Sequence, residues 1–257
     1  MTDSIIKSKK LLCPHGFSTR LGGVSSGVYE SLNLGMNRGD EDRLVCENWN
    51  RFLAAAGIEN RTLVYGQQVH ENTVHVATAD DLKKICDWNE LIEADGYVTA
   101  EKNIPLVIFT ADCVPLLLED TQAGVIGAIH CGWRSTVKDI PGNAIEAMVE
   151  LGAKPQNIKA AIGPSIEKCC FEVGSEVITA AGQLLEKGIP ELYTLKPNGK
   201  YMLDLKGVVQ SRLIQLGVSR ENIDLVGKCT CCNEAEYFSH RRMGADRGSL
   251  ASVIMLK

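Results

Sequence analysis

The chain has 257 residues, 45% of them hydrophobic and 23% charged, with a formal net charge of -5. That length and apolar content suffice for one large domain or two small ones with a fully buried core. The acidic balance argues against a nucleic-acid binder with its basic stripe, and although local basic patches exist, no run of like charge is long enough to act as an interaction tail.

In chain order, residues 1–10 carry Ile5 and Ile6 followed by Lys7, Lys9 and Lys10, without the apolar stretch and small-residue cleavage site of a secretory signal. Residues 13–39 are rich in Gly, Ser and Thr and read as loop. Leu44, Val45, Trp49, Phe52 and Leu53 recur at helical spacing, which predicts a helix over 41–56 that stops before Gly57. Short β-type runs follow at 62–65, 73–77, 97–99, 106–110, 114–118 and 125–129. Several are apolar throughout, as in strands buried on both faces, and the short turns between them favour antiparallel hairpins. Residues 135–151 read as helix bent at Pro141, and 158–162 as strand. Helices are expected over 175–187 and 203–216, and strands over 223–226 and 251–256. No repeat or linker interrupts the chain, so one α/β (α+β) domain over residues 1–257, helices packed on mixed sheets, is expected. Pro105, Asp112 and Pro115 break the most apolar stretch, 104–118, so it cannot span a bilayer, and a cytoplasmic protein is expected.

Three residues carry the chemistry: His70 in G-Q-Q-V-H-E-N, Cys113 in F-T-A-D-C-V-P and His130 in A-I-H-C-G-W-R. Two imidazoles and a thiolate are three good Zn²⁺ ligands that leave a coordination position open. If 114–118 and 125–129 pair as a hairpin, Cys113 and His130 lie at the same end of it; His70 must arrive through tertiary structure. The same atoms suit a metal-free cysteine hydrolase, with Cys113 as nucleophile, His130 as base and Asp112 or Asn143 orienting the imidazole. Asp112, costly to bury alone, is a candidate proton shuttle or a carboxylate behind a ligand histidine.

Ser18, Thr19 and Arg20 before Gly22 and Gly23 resemble an anion cradle to which Asn33 adds an amide; Arg20 is equally readable as a solvated charge. Of the ten cysteines, Cys169–Cys170 and Cys231–Cys232 are chain neighbours that pair badly as disulfides. Cys229, Cys231 and Cys232, with His240 downstream, offer donors for a second metal. Read as C-x-C-C, however, the run lacks the C-x-x-C spacing of a zinc knuckle, and a tight turn with buried thiols is expected.

Together H-G-F-S-T-R-L-G-G-V-S, S-L-N-L-G, Q-Q-V-H, E-A-D-G-Y-V-T, T-A-D-C-V-P-L-L-L, A-I-H-C-G-W-R-S, A-A-I-G-P-S-I, C-C-F-E-V-G and C-T-C-C-N with F-S-H-R-R resemble, in order, the YfiH-like laccase-domain family. The resemblance implies a single domain of stacked mixed β-sheets flanked by helices. It implies a catalytic Zn²⁺, with copper as the older alternative, on His70, Cys113 and His130. The implied activity is phosphorolysis of adenosine, inosine and S-methyl-5'-thioadenosine, with adenosine deamination as a side activity and copper-dependent phenol oxidation as the older claim. Purine nucleosides and inorganic phosphate are then the partners, with no nucleic acid or membrane, in a monomer or weak homo-oligomer. Departures from the pattern are Glu71 for a glycine, Cys131 for an alanine, Ser165 for a cysteine, and A-D-R-G at 245–248. Cys131 raises a question of which thiol binds.

Overall fold

Leu106–Thr110 and Val114–Asp120 follow each other closely in the chain, yet they enter different sheets. The computed structural model describes residues 4–87, 89–185 and 188–257. In chain order, β1 (Ile5–Ile6) and β2 (His15–Ser18) precede α1 (Asp42–Ala56). Then come β3 (Thr62–Leu63), β4 (Val74–Val76), β5 (Lys83–Lys84), β6 (Gly96–Thr99), β7 (Leu106–Thr110), β8 (Val114–Asp120) and β9 (Val125–Cys131). The second half holds α2 (Trp133–Val137), α3 (Ile140–Glu150), β10 (Lys159–Ile162), β11 (Glu172–Val173), α4 (Ser175–Leu184), β12 (Tyr193–Leu195), β13 (Tyr201–Leu203), α5 (Leu205–Gln215), β14 (Ile223–Leu225), α6 (His240–Met243) and β15 (Leu250–Ile254).

Two sheets stack face to face. One has four strands in the order β1-β2-β15-β7; the other has six, β14-β10-β8-β9-β6-β4. The larger sheet is mixed: β4 with β6 and β10 with β14 are parallel, and the remaining pairs antiparallel. Alternation along β8 explains the layering. Leu117 points between the sheets with Ile126, Ala128, Ile108 and Phe17, while Leu116 and Leu118 point the other way onto Ile145, Met148 and Val208 of the helices. On the far side of the smaller sheet, Trp49, Phe52 and Leu53 of α1 cover Val107, Ala251 and Val253. The order helix, sheet, sheet, helices matches the expected stacked α/β architecture.

Several expectations are refined. Helix α1 ends at Gly57, whose φ of +80° suits glycine in a left-handed cap. The helix expected over 135–151 is two helices, split where Asp139 (φ +66°) caps α3 by accepting from the Gly142 N–H, with Pro141 in the first turn. The helix expected from 203 begins at Leu205, because Leu203 still pairs in β13 and Asp204 caps α5 through Gly207. Strand β2 lies within the stretch read as loop, since its pairing with β1 and β15 is tertiary. Of the helix expected over 175–187, Ser175–Leu184 is helical and residues 186–187 lie outside the described residues. No helix among the described residues is long and apolar enough to cross a membrane.

Candidate metal centre and its cleft

Strands β8 and β9 pair with Val114 opposite Cys131 and Pro115 opposite His130, so Cys113 and His130 stand at one end of the hairpin. Cys113 sits in the crossover between the two sheets, after Asp112 at φ +93°. His70 arrives on a separate loop, itself left-handed at φ +62°. The Gln68 amide docks that loop like a strand partner: it donates to the Phe109 carbonyl (2.8 Å) and accepts from the Phe109 N–H (2.7 Å). One donor atom from each of His70, Cys113 and His130 then lies within 4.8 Å of the others. Cys113 Sγ is 3.9 Å from His70 Nε2, and the imidazoles meet edge to face with centroids 4.9 Å apart. Gly132 leaves room for this; a Cβ there would stand 2.8 Å from His70 Cδ2 and 3.5 Å from Cys113 Sγ.

Asp95, fully buried before β6, joins two of the three donors. Its Oδ1 accepts from His130 Nδ1 (2.7 Å) and the His70 N–H (3.1 Å), and its Oδ2 accepts from the Val69 and Glu71 N–H groups (3.0 Å each). One carboxylate thus shapes the His70 loop and fixes the His130 tautomer, leaving Nε2 free to bind. A carboxylate behind a ligand histidine is the usual support of a metal site. Burial pushes Asp95 up, but the His130 bond and charge and the backbone donors outweigh it and hold it below the ordinary carboxylate range.

The pair in front is polarised. Burial alone would raise the Cys113 thiol, yet the charge and hydrogen bond of His130, with His70 behind, bring it down to about 6. Burial likewise disfavours the His130 cation, but Cys113 and Asp95 raise it to about 9. In the metal-free protein these favour a thiolate beside an imidazolium. Two imidazoles and an accessible thiolate fit a zinc-class ion. Cys131 is not the rival thiol: it points to the opposite face of β9, into the core, where burial pushes it up.

Two lobes meet at this centre, of about 440 and 460 Å³, and they share Arg38, His70, Ala111, Cys113 and Arg247. Met36, Leu91 and Phe109 supply an apolar wall in the first; Trp133, Phe171 and His240 line the second. Neither Arg38 nor Arg247 has a carboxylate within ion-pair distance among the described residues. Burial and the Arg38 charge push Arg247 down, and its Nε is buried without a partner.

The remaining sequence candidates lie elsewhere. Ser18 is buried and its Oγ accepts from the Ala251 N–H. The Arg20 guanidinium stacks on Phe238 (4.5 Å) and donates to the Glu30 and Glu234 carbonyls. Asn33 is buried, accepting from the Gly35 and Ser249 N–H groups and donating to Asp40. None of the three lines either lobe, although Asn33 braces the Gly35 and Ser249 walls of the first. Asp112 does line the second lobe, but its oxygens accept from Thr230, Ser239 and the Arg241 N–H, and the carboxylate behind a ligand histidine is Asp95 instead. Asp95, Arg38 and Arg247 are not among the residues that the sequence motifs put forward as ligands or phosphate contacts. The signal for Asp95 was an acid at the mouth of an apolar strand in E-A-D-G, and Arg247 stood within the divergent A-D-R-G.

Residues 14–257 match the family described as multi-copper polyphenol oxidoreductase laccase. The chain belongs to this laccase-like family. A protein of Deinococcus radiodurans named purine nucleoside phosphorylase is 40% identical over 98% of this chain and 92% of its own length. Adenosine deaminase RL5, from an unknown prokaryotic organism, is 34% identical over 94% of this chain and 93% of its own. The crystal structure of YlmD from Geobacillus stearothermophilus superposes with a TM-score of 0.92 at 29% identity, covering 100% of this laccase-like chain and 97% of that one.

Proposed function

We propose that this laccase-like protein is a zinc-dependent purine nucleoside phosphorylase acting on adenosine, inosine and S-methyl-5'-thioadenosine, with adenosine deamination as a second activity of the same centre. The observation that carries the reading is the convergence of His70, Cys113 and His130, braced by Asp95, where two lobes meet beside Arg38 and Arg247, neither of them in an ion pair with a carboxylate among the described residues. The names of the relatives support the reaction class.

His70, Cys113 and His130 would hold the ion, which supplies Lewis acidity toward groups brought against it. The rest falls to the chain. Arg38 and Arg247 replace Ser18 and Arg20 as the phosphate contacts, since they face the cleft and lack competing carboxylates. Held there, a phosphate oxygen forms the bond to the anomeric carbon while the glycosidic C–N bond breaks and its electron pair leaves with the purine. Met36, Leu91 and Phe109 give the base an apolar wall that excludes water. Asn33 acts indirectly, by holding the Gly35 and Ser249 backbones in place. Ten cysteines without a disulfide fit a reducing compartment, and we place the activity in the cytoplasm.

The Asp95–His130–Cys113 alignment also favours a second reading, a metal-free cysteine hydrolase. A copper phenol oxidase is poorly supported, because four-electron reduction of O₂ needs more redox centres than one His₂Cys set provides. Incubation with each nucleoside, with and without phosphate and after metal stripping, separates these by product mass. Phosphate-dependent release of base and ribose 1-phosphate that stops on stripping is expected. Turnover that survives stripping but not thiol alkylation would overturn the zinc reading in favour of the hydrolase.

A further inference from the structure

A second group of sulfur donors lies outside the cleft. One ligand atom each from Cys169, Cys170, Cys229 and Cys232 falls within 4.8 Å of the others. Cys232 Sγ is 3.2 Å from Cys170 Sγ and 3.4 Å from Cys169 Sγ. A tetrahedral zinc-class ion with metal–sulfur bonds of about 2.3 Å sets its sulfurs about 3.8 Å apart, a spacing these four reach with small side-chain rotations. The selection among the thiols is informative. Cys229 and Cys232 are related as C-x-x-C, the knuckle spacing hidden within C-T-C-C, while Cys231 turns toward the helical core and His240 faces the cleft. The Glu167 N–H reaches Cys229 Sγ (3.4 Å), the kind of backbone donor that supports a coordinated sulfur.

We propose that Cys169, Cys170, Cys229 and Cys232 form a closed four-sulfur site for one zinc-class ion, separate from the His70–Cys113–His130 centre. The site joins the turn before β11 to the turn after β14, segments some sixty residues apart in the chain (Cys169 to Cys229). With four protein ligands it has no open position, so its role is structural. Binding displaces the four thiol protons to solvent.

The ion would fasten one wall of the second lobe. Thr230, between the two ligands of the C-x-x-C, donates to Asp112 (2.6 Å), the residue before Cys113. Arg241 donates its backbone N–H to Asp112 (2.6 Å) and its guanidinium to the Cys170 carbonyl (3.0 Å). Arg242 clasps the Thr230 and Cys231 carbonyls (2.8 Å each). The four-sulfur site therefore holds the turns that carry these contacts, and loosening it frees the backbone next to a ligand of the first centre.

The test uses full-length protein loaded with Zn²⁺ or Co²⁺ under reducing conditions, as wild type, His70→Ala/His130→Ala and Cys229→Ser/Cys232→Ser. The histidine variant is expected to retain one tightly held equivalent of metal by elemental analysis. Its Co²⁺ form should show the intense sulfur-to-metal absorption and tetrahedral bands of an all-thiolate site. The cysteine variant should lose that equivalent and its absorption, with a lower melting temperature. If the cysteine variant does not fold, the histidine variant alone decides. A folded histidine variant that binds no ion, or native peptide mapping that finds Cys232 in a disulfide with Cys169 or Cys170, overturns the proposal. Because the histidine variant lacks two ligands of the cleft centre, failure of the catalytic reading leaves this result unchanged.

Discussion

Asp95→Asn is the sharpest perturbation of the candidate site, because one carboxylate receives four donors and the substitution keeps its shape. Oδ1 serves His130 Nδ1 and the His70 N–H; Oδ2 serves the Val69 and Glu71 N–H groups. In asparagine one of the two positions becomes an NH₂: turned toward Val69 and Glu71 it faces two donors and both contacts are lost, and turned toward His130 it loses the His70 N–H and reverses the bond to Nδ1. Hydrogen bonds to a charged group contribute about 1.5–3 kcal/mol each, so between about 1.5 and 6 kcal/mol is at stake before relaxation, according to how the amide turns. That is a large part of the roughly 5–15 kcal/mol that stabilises a typical domain. An amide turned with its nitrogen toward His130 also drives the proton to Nε2, the nitrogen needed for the metal. Loss of such a supporting carboxylate commonly weakens metal binding by about 10–100-fold. Competition with a chromophoric chelator reads the affinity, and denaturant unfolding of the metal-free protein reads the stability. A folded Asp95→Asn protein with wild-type zinc affinity, unfolding within about 1 kcal/mol of the parent, would refute the reasoning.

Five further outcomes are expected. In stripped protein, alkylation of Cys113 should accelerate as pH rises through about 6, whereas an ordinary thiol responds near 9.0. The lowered Cys113 value makes stability rise with pH from about 6 to 9, and the raised His130 value makes it fall from 6.5 to about 9, so their opposed slopes leave melting nearly flat in that window. A steep change in melting there would show that the two groups do not exchange charge. Gly132→Ala should push His70 aside and lower metal content and turnover, with little change in melting, since its φ of -66° suits any residue; unchanged metal content would contradict the packing argument. Arg247→Met should raise the KM for phosphate by about 10–100-fold, the effect of one or two charge-assisted bonds, and spare deamination. Arg20→Ala should instead cost about 0.5–1 kcal/mol of stability through the lost Phe238 contact and leave the phosphate KM unchanged. The opposite pattern would return the phosphate to Arg20.

What could be read from residues alone follows the range of the forces involved. The β8–β9 hairpin was legible because two apolar runs flank a short turn, and with it came the pairing of Cys113 and His130. The parting of β7 from β8 was not, because nothing local marks a strand that finds its partner in β15 near the other end of the chain. His70 is marked by its residue type and by the resemblance of Q-Q-V-H to the family; its approach depends on Asp95 and Gln68, which act over distances no periodicity records. The Ser18–Arg20 segment resembles an anion cradle because polar side chains around glycines look alike whether they hold a ligand or the fold itself, as when Ser18 accepts from the Ala251 N–H and Thr19 Oγ1 from the Leu21 N–H. The C-x-x-C from Cys229 to Cys232 was obscured by the extra thiol at Cys231, which only packing could discount.

The three donors do not share one anchor. Cys113 and His130 ride on a paired hairpin buried on both faces, whereas His70 belongs to a loop tethered through the carboxylate of Asp95 and the amide of Gln68. Exchange of an ion at this centre should therefore begin with His70 swinging away while the other two stay still. The residence time of an ion would then be a property of that tether, adjustable by substitution at position 68, whose side chain holds the His70 loop through Phe109 and contacts neither Cys113 nor His130.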